Sequence, residues 1–283
     1  MSLKPISILF YTTLLLLSGC AKDDPSEEMK YNPKFVVEGW IENDAYPTVI
    51  LTRNVPFFSD LDSAELADVV LRYARVTVSD GVQSEILTAR KDDNYFPSYV
   101  YRGSELKGRV GKKYKLTIEY GATRLESETV IPAPVSLDSI WFVSKNDTSS
   151  QLQVRFKDPT EKNYYKLYTK TEENKRFIPT LLSNHDDKFF NGQLYTLQVN
   201  KGPESNLTIK NHPYFDKDTE VLIKLSTIPK EGFDFWSSFQ NEVLNASNPL
   251  IGSSGKIISN ISGPALGVWC GYGSYVYKVK VAP

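Results

Sequence analysis

Cysteine is scarce in this chain of 283 residues: there are two, Cys20 and Cys270, beside two histidines and two methionines. Nor is there an excess of positive charge. Lys plus Arg is 33 against 34 for Asp plus Glu, a formal net charge of −1, whereas a nucleic-acid footprint needs a basic patch or stripe. No run of the roughly 20 apolar residues that a membrane-spanning helix requires is present. HExxH, GxSxG, the phosphate-binding loop and paired-cysteine spacings are all missing. These absences set the expectation of a non-enzymatic protein with no cofactor, no metal and no nucleic-acid partner. Carboxylate pairs for glycoside hydrolysis converge only in space, so a carboxylate-dependent hydrolase stays as a lesser alternative.

What is present begins at the N-terminus. Lys4 precedes an almost unbroken apolar segment, residues 6–17, which ends in Leu17-Ser18-Gly19-Cys20. That length suits the h-region of a signal peptide, and the ending has the pattern of a bacterial lipobox, in which Cys20 takes a diacylglyceryl group. The competing reading, a short buried helix ending at Gly19, leaves an all-round apolar helix with no packing partner. Under the lipobox reading residues 1–19 are the signal peptide and the anchor is lipid. Two or three acyl chains, each buried methylene contributing about 0.8 kcal/mol, hold a protein stably where one holds it marginally. Residues 20–32 (CAKDDPSEEMKYN) follow as an acidic tether with too few apolar side chains to build a core. Within it, Lys22, Asp23 and Asp24 beside the lipidated cysteine resemble the export signal that sends Bacteroidota lipoproteins to the outer leaflet. Cys270 is then the one free thiol. It lies in the apolar run Val268-Trp269-Cys270-Gly271-Tyr272 and reads as a buried small hydrophobe, not a nucleophile.

Seventeen tyrosines and 14 phenylalanines, mostly in short alternating runs, favour an all-β protein. Strands are expected at residues 34–42, 49–53, 74–79, 84–90, 95–102, 113–120 and 124–131. Asp80-Gly81 gives a hairpin signal of the type I′ kind, and Gly121-Ala122 marks another turn. Pro132-Ala133-Pro134 stiffens the backbone and excludes a central strand, so a boundary is placed there. A second β series follows at 137–144, 151–157, 164–171, 193–200 and 220–227, and the tail closes on a strand at 274–281. The expected architecture is two antiparallel, sandwich-like (Ig-like) halves, residues 33–132 and 133–283. One segment departs from the alternation. Residues 231–246 place Phe235, Trp236, Phe239 and Val243 on a helical stripe that suits packing against a sheet.

Candidate chemistry is thin. His185 in Ser-Asn-His-Asp-Asp and His212 in Asn-His-Pro have turn-like contexts. A metal at His185-Asp186-Asp187 is disfavoured because neighbours on an extended backbone point to opposite faces. The sequons at Asn146, Asn206, Asn245 and Asn260, and the Asp-Ser-apolar triplets at Asp62 and Asp138, are noted as sites of modification or as ordinary turn and strand residues. Three aromatic pairs, Phe57-Phe58, Tyr95-Phe96 and Tyr214-Phe215, lie in or beside turn-like stretches. They are the candidate ligand or partner surface, with core packing as the alternative.

Several stretches taken in order resemble one family: Val36-Val-Glu-Gly-Trp-Ile41, Val76-Thr-Val-Ser-Asp-Gly81, residues 111–116 with Ile131-Pro132, Asp187-Lys-Phe-Phe-Asn-Gly192, Leu225-Ser226, Asn248-Pro249, Ser259-Asn-Ile-Ser-Gly263 and Leu266-Gly-Val268. Together they are similar to the Bacteroidota outer-membrane lipoprotein family defined by domain of unknown function 4249, with Gly263-Pro264-Ala265 departing from the glycine-rich turn expected there. The resemblance implies a surface-exposed lipoprotein, often encoded beside TonB-dependent receptors, with no established reaction. The expected function is an accessory that captures a ligand for such a transporter or braces the receptor. A structural or adhesin-like envelope protein without a small ligand is the alternative.

Overall fold

Alternation of apolar and polar residues builds most of the molecule. In the computed structural model, which describes residues 33–55, 69–202, 213–246 and 256–282, the strands are β1 (Phe35–Glu42), β2 (Thr48–Arg53), β3 (Arg75–Ser79), β4 (Ser84–Ile86), β5 (Thr88–Lys91), β6 (Tyr99–Arg102), β7 (Lys113–Tyr120) and β8 (Thr123–Val130). They continue as β9 (Ser139–Ser144), β10 (Ser149–Lys157), β11 (Tyr164–Lys170), β12 (Ile178–Asp186), β13 (Leu194–Val199), β14 (Phe215–Asp216), β15 (Glu220–Ile228) and β16 (Ala265–Lys280). One helix, α1 (Lys230–Ala246), lies between the last two. The protein is all-β and sandwich-like, in agreement with its composition and alternating runs.

An eight-stranded sheet in the order β12-β11-β15-β16-β1-β2-β6-β5 forms one layer. Two four-stranded sheets form the other: β4-β3-β7-β8, and β13-β10-β14 with β9 beside β10. Residues alternate across a strand, so the large sheet presents Val37, Ile41, Leu51, Tyr101 and Trp269 to the first small sheet. That core is completed by Val76, Val78, Tyr114, Leu116, Ile118 and Leu125. The same face presents Tyr165, Leu167, Val221, Ile223 and Leu225 to the second small sheet, where Leu152, Val154, Phe156 and Phe215 close the core. The large sheet does not divide at Pro132: it takes four strands from either side, and Lys34–Pro283 forms one compact unit. The second core is built from residues after 132, while the first takes Ile261, Ala265 and Trp269 from beyond it.

The element that joins the sides is β16. It pairs antiparallel with β15 and parallel with β1, a pairing that places Glu38 opposite Val268 and Trp40 opposite Cys270. On the core face of β16 the chain leaving β8 crosses directly overhead. A Cβ on Gly271 would stand 2.3 Å from the Val130 carbonyl oxygen, and one on Gly273 2.0 Å from that of Pro132. Only glycine admits that crossing. Trp269 is fully buried beside it, its indole donating to the Tyr114 carbonyl at 3.0 Å. Asn260 clamps the same strand, donating to the Trp269 carbonyl and accepting from its N–H at 2.8 and 2.9 Å.

Three local expectations are corrected. The connection after β3 runs over residues 80–83 as expected, with Ser79 paired to Ser84, but it is not a type I′ turn: Asp80 N–H donates to the Gln83 carbonyl at 3.1 Å, and Asp80 Oδ1 accepts from the N–H groups of Val82 and Gln83. Among the described residues, only Gly81 of that loop has positive φ, whereas type I′ needs two such residues. His185 sits in a strand, β12, where it faces Tyr165 across the ladder. Finally, Phe215 lies in the two-residue β14 and is 1 % exposed, a member of the second core. It is no surface aromatic.

Candidate functional site

The face of the large sheet turned away from the small sheets has a different character. Alternation places Glu38, Trp40 and Glu42 of β1, Cys270 and Tyr272 of β16, Lys224, Ser226 and Ile228 of β15, and Tyr164, Lys166 and Tyr168 of β11 on this side. The first turns of α1 cover part of it. Gly232 brings the helix down onto Cys270, whose Sγ is 2.4 Å from where a Cβ would stand, while Phe235 is buried and Phe233 lies over Tyr164 at 4.8 Å. Burial pushes the Cys270 thiol up to about 12. It is a packing residue under the helix.

Beside the helix, loops after β5 and before β12 reach over the sheet. Tyr95, after β5, stacks against Trp40 with centroids 5.8 Å apart. Arg176, before β12, lies over the Tyr95 ring at 5.6 Å, and the adjacent Phe177 ring receives Lys224 at 4.9 Å. Lys224 also lies 4.6 Å over Tyr168 and forms an ion pair with Glu42 at 2.6 Å. The Tyr168 and Tyr272 rings meet edge to face at 6.3 Å, and the Tyr272 hydroxyl accepts from Trp236 Nε1 at 2.8 Å; burial raises both tyrosines well above their ordinary range. Trp236 carries Lys166 over its face at 4.2 Å. These contacts make one continuous aromatic and charged network.

Glu38 lies within this network but is bonded to none of it. It is exposed to solvent yet surrounded by protein, the position of a group at the floor of an open cup. The surrounding protein governs its charge. Desolvation raises the Glu38 pKa, while Arg176 and then Lys166 pull the other way. Lys166 is itself pushed down to about 7, by burial first, with the charges of Cys270 and Glu38 opposing. Its Nζ donates to Ser183 Oγ at 3.1 Å and Asn184 Oδ1 at 3.0 Å, both neutral. Glu38 and Lys166 attract each other, but for each the cost of burial outweighs that attraction. Neighbouring β12 and the second half of α1 enclose a groove of about 210 Å³. Its walls are mainly Leu181, Leu182, Phe239, Val243 and Leu244, and Lys166 and Asn184 are at its polar end.

Of the residues singled out in the sequence, Tyr95 belongs to the cup, and Phe96 stands next to it, 76 % exposed. Tyr214 lies instead by β14, under Lys145 at 5.7 Å. Phe57, Phe58, Cys20, Lys22, Asp23, Asp24 and His212 fall outside the described residues. Asn146 caps the turn between β9 and β10, its Oδ1 accepting from Ser149 N–H at 2.8 Å. His185 is held down to about 4 by burial, with Asp186 opposing. Asp187 turns instead to Lys162 and the Asn163 N–H. Among the described residues no group of three or more His, Cys, Asp or Glu side chains could hold a metal. Glu38 and Glu42 are four residues apart on one strand, about 13 Å along the backbone, and Glu42 is taken by Lys224.

The fold and this face define a β-sandwich protein with an open polar-aromatic cup on one sheet. The chain belongs to the family described as Domain of unknown function (DUF4249), whose model matches residues 23–275. No curated protein matches it.

Proposed function

We propose that this protein is a non-enzymatic capture protein, anchored through lipid on Cys20 at the outer face of the outer membrane, that holds a small polar nutrient for a TonB-dependent transporter. The observation that carries the reading is the carboxyl of Glu38, without a hydrogen-bonded partner and set among Trp40, Tyr95, Arg176 and Lys166 on a partly covered sheet face. A rigid fold that keeps such a group without a hydrogen-bonded partner, beside stacked rings, is prepared for a ligand that supplies the donors and a flat or ring-shaped body. The cup takes residues from β1, β11 and two loops far apart in sequence, so its geometry depends on the whole fold. The leader ending in Leu17-Ser18-Gly19-Cys20 and the acidic stretch after it support the location. The test is affinity purification of the full-length protein from detergent-solubilised outer membrane. Recovery of a TonB-dependent receptor is expected, and repeated recovery of the lipoprotein with no transporter would overturn the accessory role.

A further inference from the structure

We infer that the groove between β12 and α1 is a second binding site, adjoining the cup at Lys166, for a short amphiphile with a single negative charge, such as an alkyl carboxylate. Two observations carry this. The first is a cation without a counter-ion: Lys166 is 2 % exposed, its two hydrogen-bond acceptors are neutral, and among the described residues no carboxylate lies within ion-pairing distance of it. Burying a cation unpaired is costly, so an incoming anion gains more here than at a surface lysine. The second is the shape of the lining. From the polar end at Lys166 and Asn184 the walls become apolar, and Leu181, Leu182, Phe239 and Leu244 are each more than a third exposed although their side chains face a common groove. Leu182 is held at φ 56, an unusual conformation for a branched side chain, where the β11–β12 register slips. That bulge turns consecutive leucines of β12 into the wall.

Size narrows the ligand. About 210 Å³ lies between the ~150 Å³ cavity that accepts benzene and the ~300 Å³ at the lower end of drug-sized pockets. A chain of about six carbons with one carboxylate suits it. The groups facing Lys166 are few: Trp236 and Gln240 on α1, Ser183 and Asn184 on β12, Tyr168 on its own strand, Cys270 and Tyr272 on β16, and Glu38 on β1. His185 is near but neutral. Lys166 is thus the group whose proton the anion requires.

The experiment is calorimetric titration of the purified full-length protein with hexanoate, hexanol and hexylammonium. Hexanoate is expected to bind with a Kd of roughly 1 mM, as befits some eight non-hydrogen atoms, and at least tenfold tighter than the other two. Between pH 6 and pH 8 its affinity should fall about tenfold, because the free lysine loses its proton near pH 7. Lys166→Met should remove the preference for hexanoate over hexanol, Lys166→Arg should keep it, and Val243→Trp should block both. Equal binding of hexanoate and hexanol, a flat pH profile, or no heat with any probe would overturn the inference. The ligand comparison and the pH profile need only the wild-type protein, so both remain decisive even where a variant fails to fold.

Discussion

Replacing Gly273 by alanine tests the arrangement of two small sheets on one large one. The new Cβ would meet the Pro132 carbonyl oxygen at 2.0 Å and the Pro134 nitrogen at 3.1 Å, where ordinary contact begins at 3.4 Å. The obstructing atoms are backbone, so no side chain can swing away. The chain there is also fastened: Ile131 N–H donates to the Lys112 carbonyl, and Gly271 N–H donates to Thr129 Oγ1 at 2.8 Å. Relief must come from moving the crossing segment off β16 or from twisting β16 itself. Overpacking costs typically 1–3 kcal/mol when side chains can yield, so a backbone obstruction belongs at or above the top of that range, about 3 kcal/mol. At ~2–4 °C per kcal/mol for a domain of this size, melting should fall by about 6–12 °C. The control is Gly81→Asn, in a solvent-facing loop at φ 87 with nothing within 4 Å of its Cβ position; asparagine tolerates that conformation, and the cost should stay near or below about 1 kcal/mol. Thermal unfolding followed by circular dichroism measures both. If Gly273→Ala melts within about 2 °C of wild type, roughly the shift of a neutral substitution, the crossing is not where it is described.

Other consequences follow from single side chains. Burial alone would raise the Glu85 pKa, but N–H groups of Leu106, Ser104 and Glu105 donate to its carboxylate and hold it below the ordinary value. Glu85→Gln should cost about 2 kcal/mol at pH 7 in urea titrations. Because the folded-state pKa is depressed, wild type should lose this advantage as pH falls through the carboxylate range, and a gap unchanged at pH 3 would refute the assignment. Cys270, with its thiol near 12 and fully buried, should not react with a disulfide reagent at pH 8 until the protein is unfolded; rapid labelling of the native protein would contradict its packing beneath Gly232.

Much of the fold is legible in the sequence because alternation is a local signal. The strands expected at residues 113–120 and 220–227 stand where the pattern puts them, and the aromatic stripe over 231–246 marks the helix. What the pattern misses has physical causes. β12 carries a proline and a bulge and ends in Ser-Asn-His-Asp, so the residues around His185 look like a turn. Phe215 follows His212-Pro213, a turn signal, yet two residues of ladder carry it into the core. The cup is not legible at all, although its signal is present: Glu38, Trp40 and Glu42 share a parity, as do Lys166 and Tyr168. Parity says only that residues share a face. Which strands lie side by side depends on β16 returning from the far end of the chain to pair with β1, and no short stretch encodes that. The stripe of α1 is half informative for a related reason. Phe235 is buried against the sheet, but Phe239 runs beyond it and becomes a wall of the groove.

Whether the open face of the large sheet holds a small ligand is tested most directly by ligand-dependent melting of the full-length protein. The panel should include sugars, amino acids, short peptides and nucleosides, run in parallel on wild type and on Glu38→Ala, a solvent-exposed substitution that leaves both cores untouched. A ligand at 100 times its Kd adds about 2.7 kcal/mol, or roughly 5–11 °C at this size. A rise of that order is expected for at least one compound class in wild type, together with its loss in Glu38→Ala. No rise with any class, or an equal rise in the variant, would contradict a ligand site built around Glu38.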